Sequence, residues 1–173
     1  RASETQTIED QIRLCEIAAP PFEEAARGEA MRLAFSRLGL RNVRVDRVGN
    51  VLGDRPGNGT RPRLVIAAHL DTVFPAETNV KVSRQGSVLR GPGIGDNCRG
   101  LAVLIAIIRS MNQARVPTPG TITFVANVGE EGLGDLRGMR ALFGSTLKDQ
   151  VDRFVSIDNA GVDVSVIAVG SRR

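Results

Sequence analysis

The stretch HLD, His69 to Asp71, sets the only histidine of the 173-residue chain two positions before an aspartate. Residues at i and i+2 of an extended chain project to one face, so the Asp71 carboxylate can reach the far ring nitrogen of His69. A carboxylate there fixes the tautomer of a metal-bound imidazole. A lone histidine at a strand end can also be a plain structural residue. GPGIGDN carries Asp96 in a glycine-rich loop. The glycines suit a tight loop that aims one carboxylate at a fixed point, or Asp96 caps the helix that follows. The loop is a poor phosphate cradle: Asp96 stands where GxGxxG has its third glycine, and would repel a pyrophosphate. VANVGEEGLGD sets Glu130 and Glu131 side by side between Gly129 and Gly132. Such pairs are common on solvated faces, but here an apolar run leads straight into them. One carboxylate can hold a metal while the other takes a proton from a water beside it. SIDNAG adds Asp158, as a ligand or as a turn or N-cap aspartate.

Positioning these groups falls to the elements before them. RLVIAAHLD is a continuous apolar run, the pattern of a strand buried on both faces. GTITFVANV is another central strand, and DRFVSID a further core strand. Each delivers its acids at its C-terminal end, the edge where open α/β sheets bind ligands. NCRGLAVLIAIIRSM, just after Asp96, reads as an apolar helix sandwiched against the sheet. Five carboxylates (Asp71, Asp96, Glu130, Glu131 and Asp158) and His69 therefore share one rim. Without a cation they would repel and raise one another's pKa values. The remainder fits the same architecture. SETQTIEDQIRLCEIAAP reads as a helix opened by a Ser-x-x-Gln capping pattern and stopped by Pro20-Pro21. EEAARGEAMRLAFSRLG reads as a helix ending at Gly39. NVRVDRV and NVLGD are strands, RPGNGTRP a turn, and VKVSRQGSVLR a hairpin turning at Gln85-Gly86. RGMRALF and STLKDQ are short helical pieces, and VSVIAVG is a last strand. Alternating strands and helices predict an α/β three-layer sandwich with a mixed, mostly parallel central sheet.

Composition closes off other classes. The longest fully apolar run, LAVLIAII, falls far short of the ~20 residues of a membrane span, so no membrane partner is expected. The formal net charge is +4, but the arginines are scattered, with no dense run and no aromatic interleaving. Trp and Tyr are absent, so base-stacking platforms are scarce and no nucleic-acid partner is expected. Cys15 and Cys98 have neither metal nor redox spacing and read as reduced thiols of a cytoplasmic protein. The chain starts at Arg1 without a Met, the expectation for a processed or excised chain.

Four stretches, AAHLDTVFP, GPGIGDNCRG, ANVGEEGLGDLRGMRALF and VSIDNAG, resemble in order the catalytic domain of the di-zinc metallopeptidase and deacylase family (peptidase family M twenty). That family includes carboxypeptidase G, peptidase T, acetylornithine deacetylase and succinyl-diaminopimelate desuccinylase. The resemblance implies a zinc-dependent exopeptidase-like fold and hydrolysis of an amide bond in a short peptide or N-acyl amino acid. It implies that His69 binds the first metal, that Asp71 orients it, and that Asp96, followed by a cis peptide to Asn97, bridges both metals. It implies that Glu130 is the general base, Glu131 a ligand of the second metal, and Asp158 the ligand that completes the first. An aspartate at 158 resembles the peptidase T and carboxypeptidase G branches, since many deacylases of the family have glutamate there. The family's last histidine ligand lies beyond an inserted lid and dimerisation domain. The chain, with His69 as its only histidine, therefore resembles an N-terminal portion of such an enzyme, whose full-length form is expected to be a homodimer. The resemblance implies zinc, or cobalt or manganese, two per full-length subunit; the ligands present leave one or none in this chain, which alone is expected to be inactive.

Overall fold

Leu14, Met31, Phe35, Leu101, Leu104, Ile105 and Ile108 recur at helical spacing, and all are buried in one cluster. They bring three helices onto one face of a sheet. The computed structural model describes residues 2–158. Helix α1 spans Ala2–Cys15, α2 Ala25–Arg37 and α3 Cys98–Gln113. In α2 the inward stripe is Arg27, Met31, Ala34 and Phe35, spaced i, i+4, i+7, i+8. Gly39 ends that helix as expected. At φ +77° it takes the left-handed conformation a Cβ disfavours. Leu40 N–H then bonds Phe35 O at 3.1 Å and Gly39 N–H bonds Ser36 O at 3.0 Å, a Schellman closure. α1 departs from expectation at its start, where Ser3 lies inside the helix rather than capping it.

The sheet contains β1 (Arg41–Val45), β2 (Val51–Arg55), β3 (Leu64–His69), β6 (Ile122–Asn127) and β7 (Arg153–Ser156) in the order β1-β2-β6-β3-β7. β4 (Ser83–Gln85) and β5 (Val88–Arg90) form a separate hairpin. Pairing of Gln85 with Val88 makes Gly86-Ser87 the turn, one residue later than the sequence suggests. β3 pairs parallel with β6 and with β7, while β2 opposes both β1 and β6. The sheet is thus mixed, with β2 alone running against the others.

β3 and β6 alternate their side chains between two apolar layers. Ile66, Ala68, Phe124 and Ala126 face α1, α2 and α3. Val65, Ala67 and Val125 join Leu52, Leu142 and Leu147 on the other side. That second layer is short, made by α4 (Arg137–Ala141) and a wider helical turn over Leu142–Thr146. The expected separate helix over 145–150 is absent, and residues 147–149 are turns. β7 also departs from expectation. It is an exposed edge strand, with Phe154 at 42% and Val155 at 48%, rather than a core strand. The strand expected at 164–170 lies outside the described residues. Among the described residues no helix is long and apolar enough to cross a membrane.

Candidate metal and proton-transfer site

The parallel register carries β3 and β6 to the same level, His69 opposite Asn127. The chain after each strand therefore meets at one rim, where Leu70 N–H bonds Asn127 O at 2.7 Å. After β6 four consecutive amides are each held by a side chain. Val128 N–H donates to Asn50 Oδ1 at 3.0 Å, and Gly129 N–H to Glu24 Oε1 at 3.0 Å. Glu130 N–H donates to Asp71 Oδ1 at 3.0 Å, and Glu131 N–H to Asp71 Oδ2 at 2.8 Å. Gly129 at φ +60° lets the backbone turn so that neighbouring glutamates serve one site. Both their side chains are half-buried.

Asp71 is fully buried, and its role differs from the expected one. Its own backbone carbonyl, not its carboxylate, lies 2.9 Å from His69 Nδ1; Oδ1 stands at 3.6 Å. The carboxylate is taken up mainly by the two glutamate amides. It thus ties the histidine and the glutamate turn into one unit. Burial works to raise the Asp71 pKa, but the nearby His69 ring and the bonds from the two amides outweigh it and hold the carboxyl below its ordinary value.

On the other ring nitrogen, His69 Nε2 meets Asp96 Oδ1 at 3.0 Å and Asp158 Oδ1 at 3.6 Å. One donor atom each from His69, Asp96 and Glu131 lies within 4.8 Å of the others. Asp96 does not cap α3. Asn97 does, accepting from Gly100 N–H at 3.0 Å, while its Nδ2 donates to Ile157 O at 2.9 Å. Asn97 thereby fastens the Asp96 loop to the residue before Asp158, and the Asp96–Asn97 peptide is cis. The structure brings together all six residues read from the sequence: His69, Asp71, Asp96, Glu130, Glu131 and Asp158. His69 is 3% exposed, whereas the side chains of Asp96 and Asp158 are 60% and 44% exposed. The acids line an open face over a buried imidazole.

The electrostatics are those of a crowded anionic site. Burial above all raises the Glu130 pKa; the His69 charge opposes this, and Asp158, Asp71 and Asp96 add to the rise. Glu131 is raised by burial and then by Asp96 and Glu130. Burial would depress His69, but the close Asp71 carboxylate, then Asp158 and Glu130, overcome it and lift its pKa to about 9. One imidazole nitrogen and carboxylate oxygens converging on a point suit a small divalent cation such as zinc. A protonated His69 and a bound cation are two ways of answering the same negative charge.

Sequence reasoning missed Glu24 and Arg27. Glu24 is 3% exposed and forms a bidentate pair with Arg137 at 2.9 and 2.8 Å. Nothing in PPFEEAA singles it out. Arg27, fully buried, donates to Leu70 O at 2.6 Å and to Ile17 O, fixing the chain beside His69. Its place in the apolar stripe of α2 was a readable signal.

A model of peptidase family M20/M25/M40 matches residues 65–170. Carboxypeptidase G2 of a Pseudomonas species is 31% identical over 114 residues, covering 62% of this chain and 27% of that protein. Succinyl-diaminopimelate desuccinylase of Corynebacterium glutamicum is 28% identical over 127 residues, covering 73% and 34%. The chain spans about a quarter to a third of the length of these curated relatives. Among solved structures, aminopeptidase PepT of Bacillus cereus superposes with a TM-score of 0.76 at 23% identity, over 91% of this chain and 44% of that one. This last likeness is one of fold.

Proposed function

The chain belongs to peptidase family M20/M25/M40, and from that premise we propose that its rim of acids is the centre of a metal-dependent hydrolase. The reaction is cleavage of an amide bond in a short peptide or an N-acyl amino acid. The observation that carries this reading is the convergence of His69, Asp96 and Glu131 within 4.8 Å, with Asp158 on the same imidazole nitrogen.

The cation, zinc by preference, with cobalt or manganese as substitutes, would be held by His69, Asp96 and Asp158 at a first position and by Asp96 and Glu131 at a second. When bound, it supplies Lewis acidity to the scissile carbonyl and to a water. Asp71 fixes His69 and both glutamate amides. Glu130, half-buried and with a raised pKa, takes a proton from the attacking water and returns it to the departing nitrogen. A raised pKa makes it the stronger base.

The test separates the two glutamates. Zinc calorimetry, with turnover measured in the protein of natural length on a panel of peptides and N-acyl amino acids, should divide them. Glu130→Ala should abolish turnover and leave zinc affinity nearly unchanged. Glu131→Ala should weaken zinc binding. Loss of both properties together in Glu130→Ala would mean that the two roles are exchanged.

A further inference from the structure

The reading of Glu130 and Glu131 leaves open what holds Gly129, the residue on which their turn pivots. Glu24 is the first residue to consider. It precedes α2 at the N-cap position, yet its side chain makes no cap hydrogen bond. A buried carboxylate without compensation is costly, and this one is compensated elsewhere. Oε1 accepts from Gly129 N–H at 3.0 Å and from Arg137 Nη1 at 2.9 Å, and Oε2 accepts from Arg137 Nη2 at 2.8 Å. Arg137 closes the ring, since its own backbone N–H donates to Gly129 O at 3.1 Å. Both polar groups of Gly129 are thus held by one ion pair.

Two further observations show how tightly the ring is built. A Cβ on Gly129 would lie 2.1 Å from Arg137 Nη1, so the arginine fills the space a side chain would need. Phe22 lays its ring over the guanidinium, 4.6 Å from carbon to centroid. It does so at φ +77° while 63% exposed. That backbone conformation is strained for a bulky residue and persists only where its surroundings impose it.

Resting on the assignment of Glu130 and Glu131 above, we infer that Glu24, clamped by Arg137, is a positioning residue for the glutamate turn. Asp71 holds the two amides that follow, so two buried carboxylates fix three consecutive residues. Glu24 touches neither metal nor substrate; it acts through the backbone of Gly129.

The experiment compares wild type with Glu24→Gln and Arg137→Lys in the intact chain. Arg137→Lys keeps every charge but loses the paired geometry, so its effect cannot be one of net charge. Amide hydrogen exchange is followed on metal-free protein, and zinc affinity by calorimetry. Glu24→Gln should speed exchange at Gly129, Glu130 and Glu131 at least about tenfold and leave the amides of β3 unchanged. It should weaken zinc binding by about ten- to a hundredfold, the usual effect of losing support for a ligand. Arg137→Lys should move both in the same direction by less, and the double variant should fall short of the product of the two. Unchanged local exchange in a folded Glu24→Gln protein would overturn the proposal, as would unchanged zinc affinity. If wild type takes up no zinc, the metal assignment fails, and the exchange measurement alone decides the clamp.

Discussion

Replacing Asp71 by Asn alters one atom of a fully buried side chain, and its effect can be worked from two terms. The first is local. One of the amides now bonded to Asp71, Glu130 N–H at 3.0 Å or Glu131 N–H at 2.8 Å, would face an NH2 group instead of an oxygen. Losing a bond to a charged acceptor costs about 2–3 kcal/mol. The second term is the histidine. Burial alone would push His69 below 6.5; the Asp71 carboxylate beside the ring is the main reason it stands at about 9, with Asp158 and Glu130 adding to it. That rise is worth about 3 kcal/mol of folding stability. Because the folded pKa lies above the unfolded one, this contribution is complete below pH 6.5 and lost as pH rises through about 9. Metal-free Asp71→Asn should therefore lose about 5 kcal/mol at about pH 6 but only about 2–3 at about pH 9.5. Urea unfolding at the two pH values measures this directly. NMR titration of the imidazole reports the pKa without ambiguity, since the chain has one histidine. A destabilisation equal at both pH values, or a His69 pKa that stays near 9 in the variant, would refute the reasoning.

Two other expectations follow from the same geometry. With His69 as a ligand, as proposed, zinc must displace the His69 proton, so its apparent affinity should climb about tenfold per pH unit between about pH 6.5 and 8. Calorimetry in buffers of different ionisation enthalpy should count about one proton released per zinc, and a flat affinity over that range would remove His69 from the ligand set. Phe124, fully buried in the central strand β6, should cost about 3–5 kcal/mol when truncated to Ala, measured by urea unfolding; a loss below about 1 kcal/mol would mean that the helical layer collapses onto the gap.

What the sequence disclosed divides along a physical line. Periodicity and glycine placement are local, so α2 with its Gly39 stop, α3 and the two central strands were readable. So were the positions of His69, the glutamate pair and Asp158, at the ends of strand runs, and of Asp96, in a glycine-rich loop before an apolar helix. What stayed hidden depends on pairing between distant segments. The Asp71 carboxylate turned to the glutamate amides rather than squarely to the histidine, because the β3–β6 register places those amides within its reach. Glu24 carries no local mark; its meaning lies in Gly129 and Arg137, more than a hundred residues away. Cys15 and Cys98 looked unrelated in spacing, yet the fold buries both, one at the end of α1 and one at the start of α3, and Cys15 Sγ donates to Pro92 O at 3.2 Å. DRFVSID reads as a core strand, but only tertiary structure decides which strand lies at the edge among the described residues. The Ser3 cap failed because α1 already begins at Ala2.

The level ends of β3 and β6 have a consequence for how the chain folds. The contacts that make the rim span 27 residues from His69 to Asp96, 59 from Asp71 to Glu130 and 105 from Glu24 to Gly129. Each closes a long loop, and such contacts form late because the entropy of closure opposes them. The unfolded chain offers a cation only scattered single ligands, so binding is confined to the native state. A cation present at about a hundred times its dissociation constant would then add about 2.7 kcal/mol to stability by mass action. That added stability lowers the open population on which proteases act. On the proposed metal reading, metal supply would then govern the lifetime of the protein.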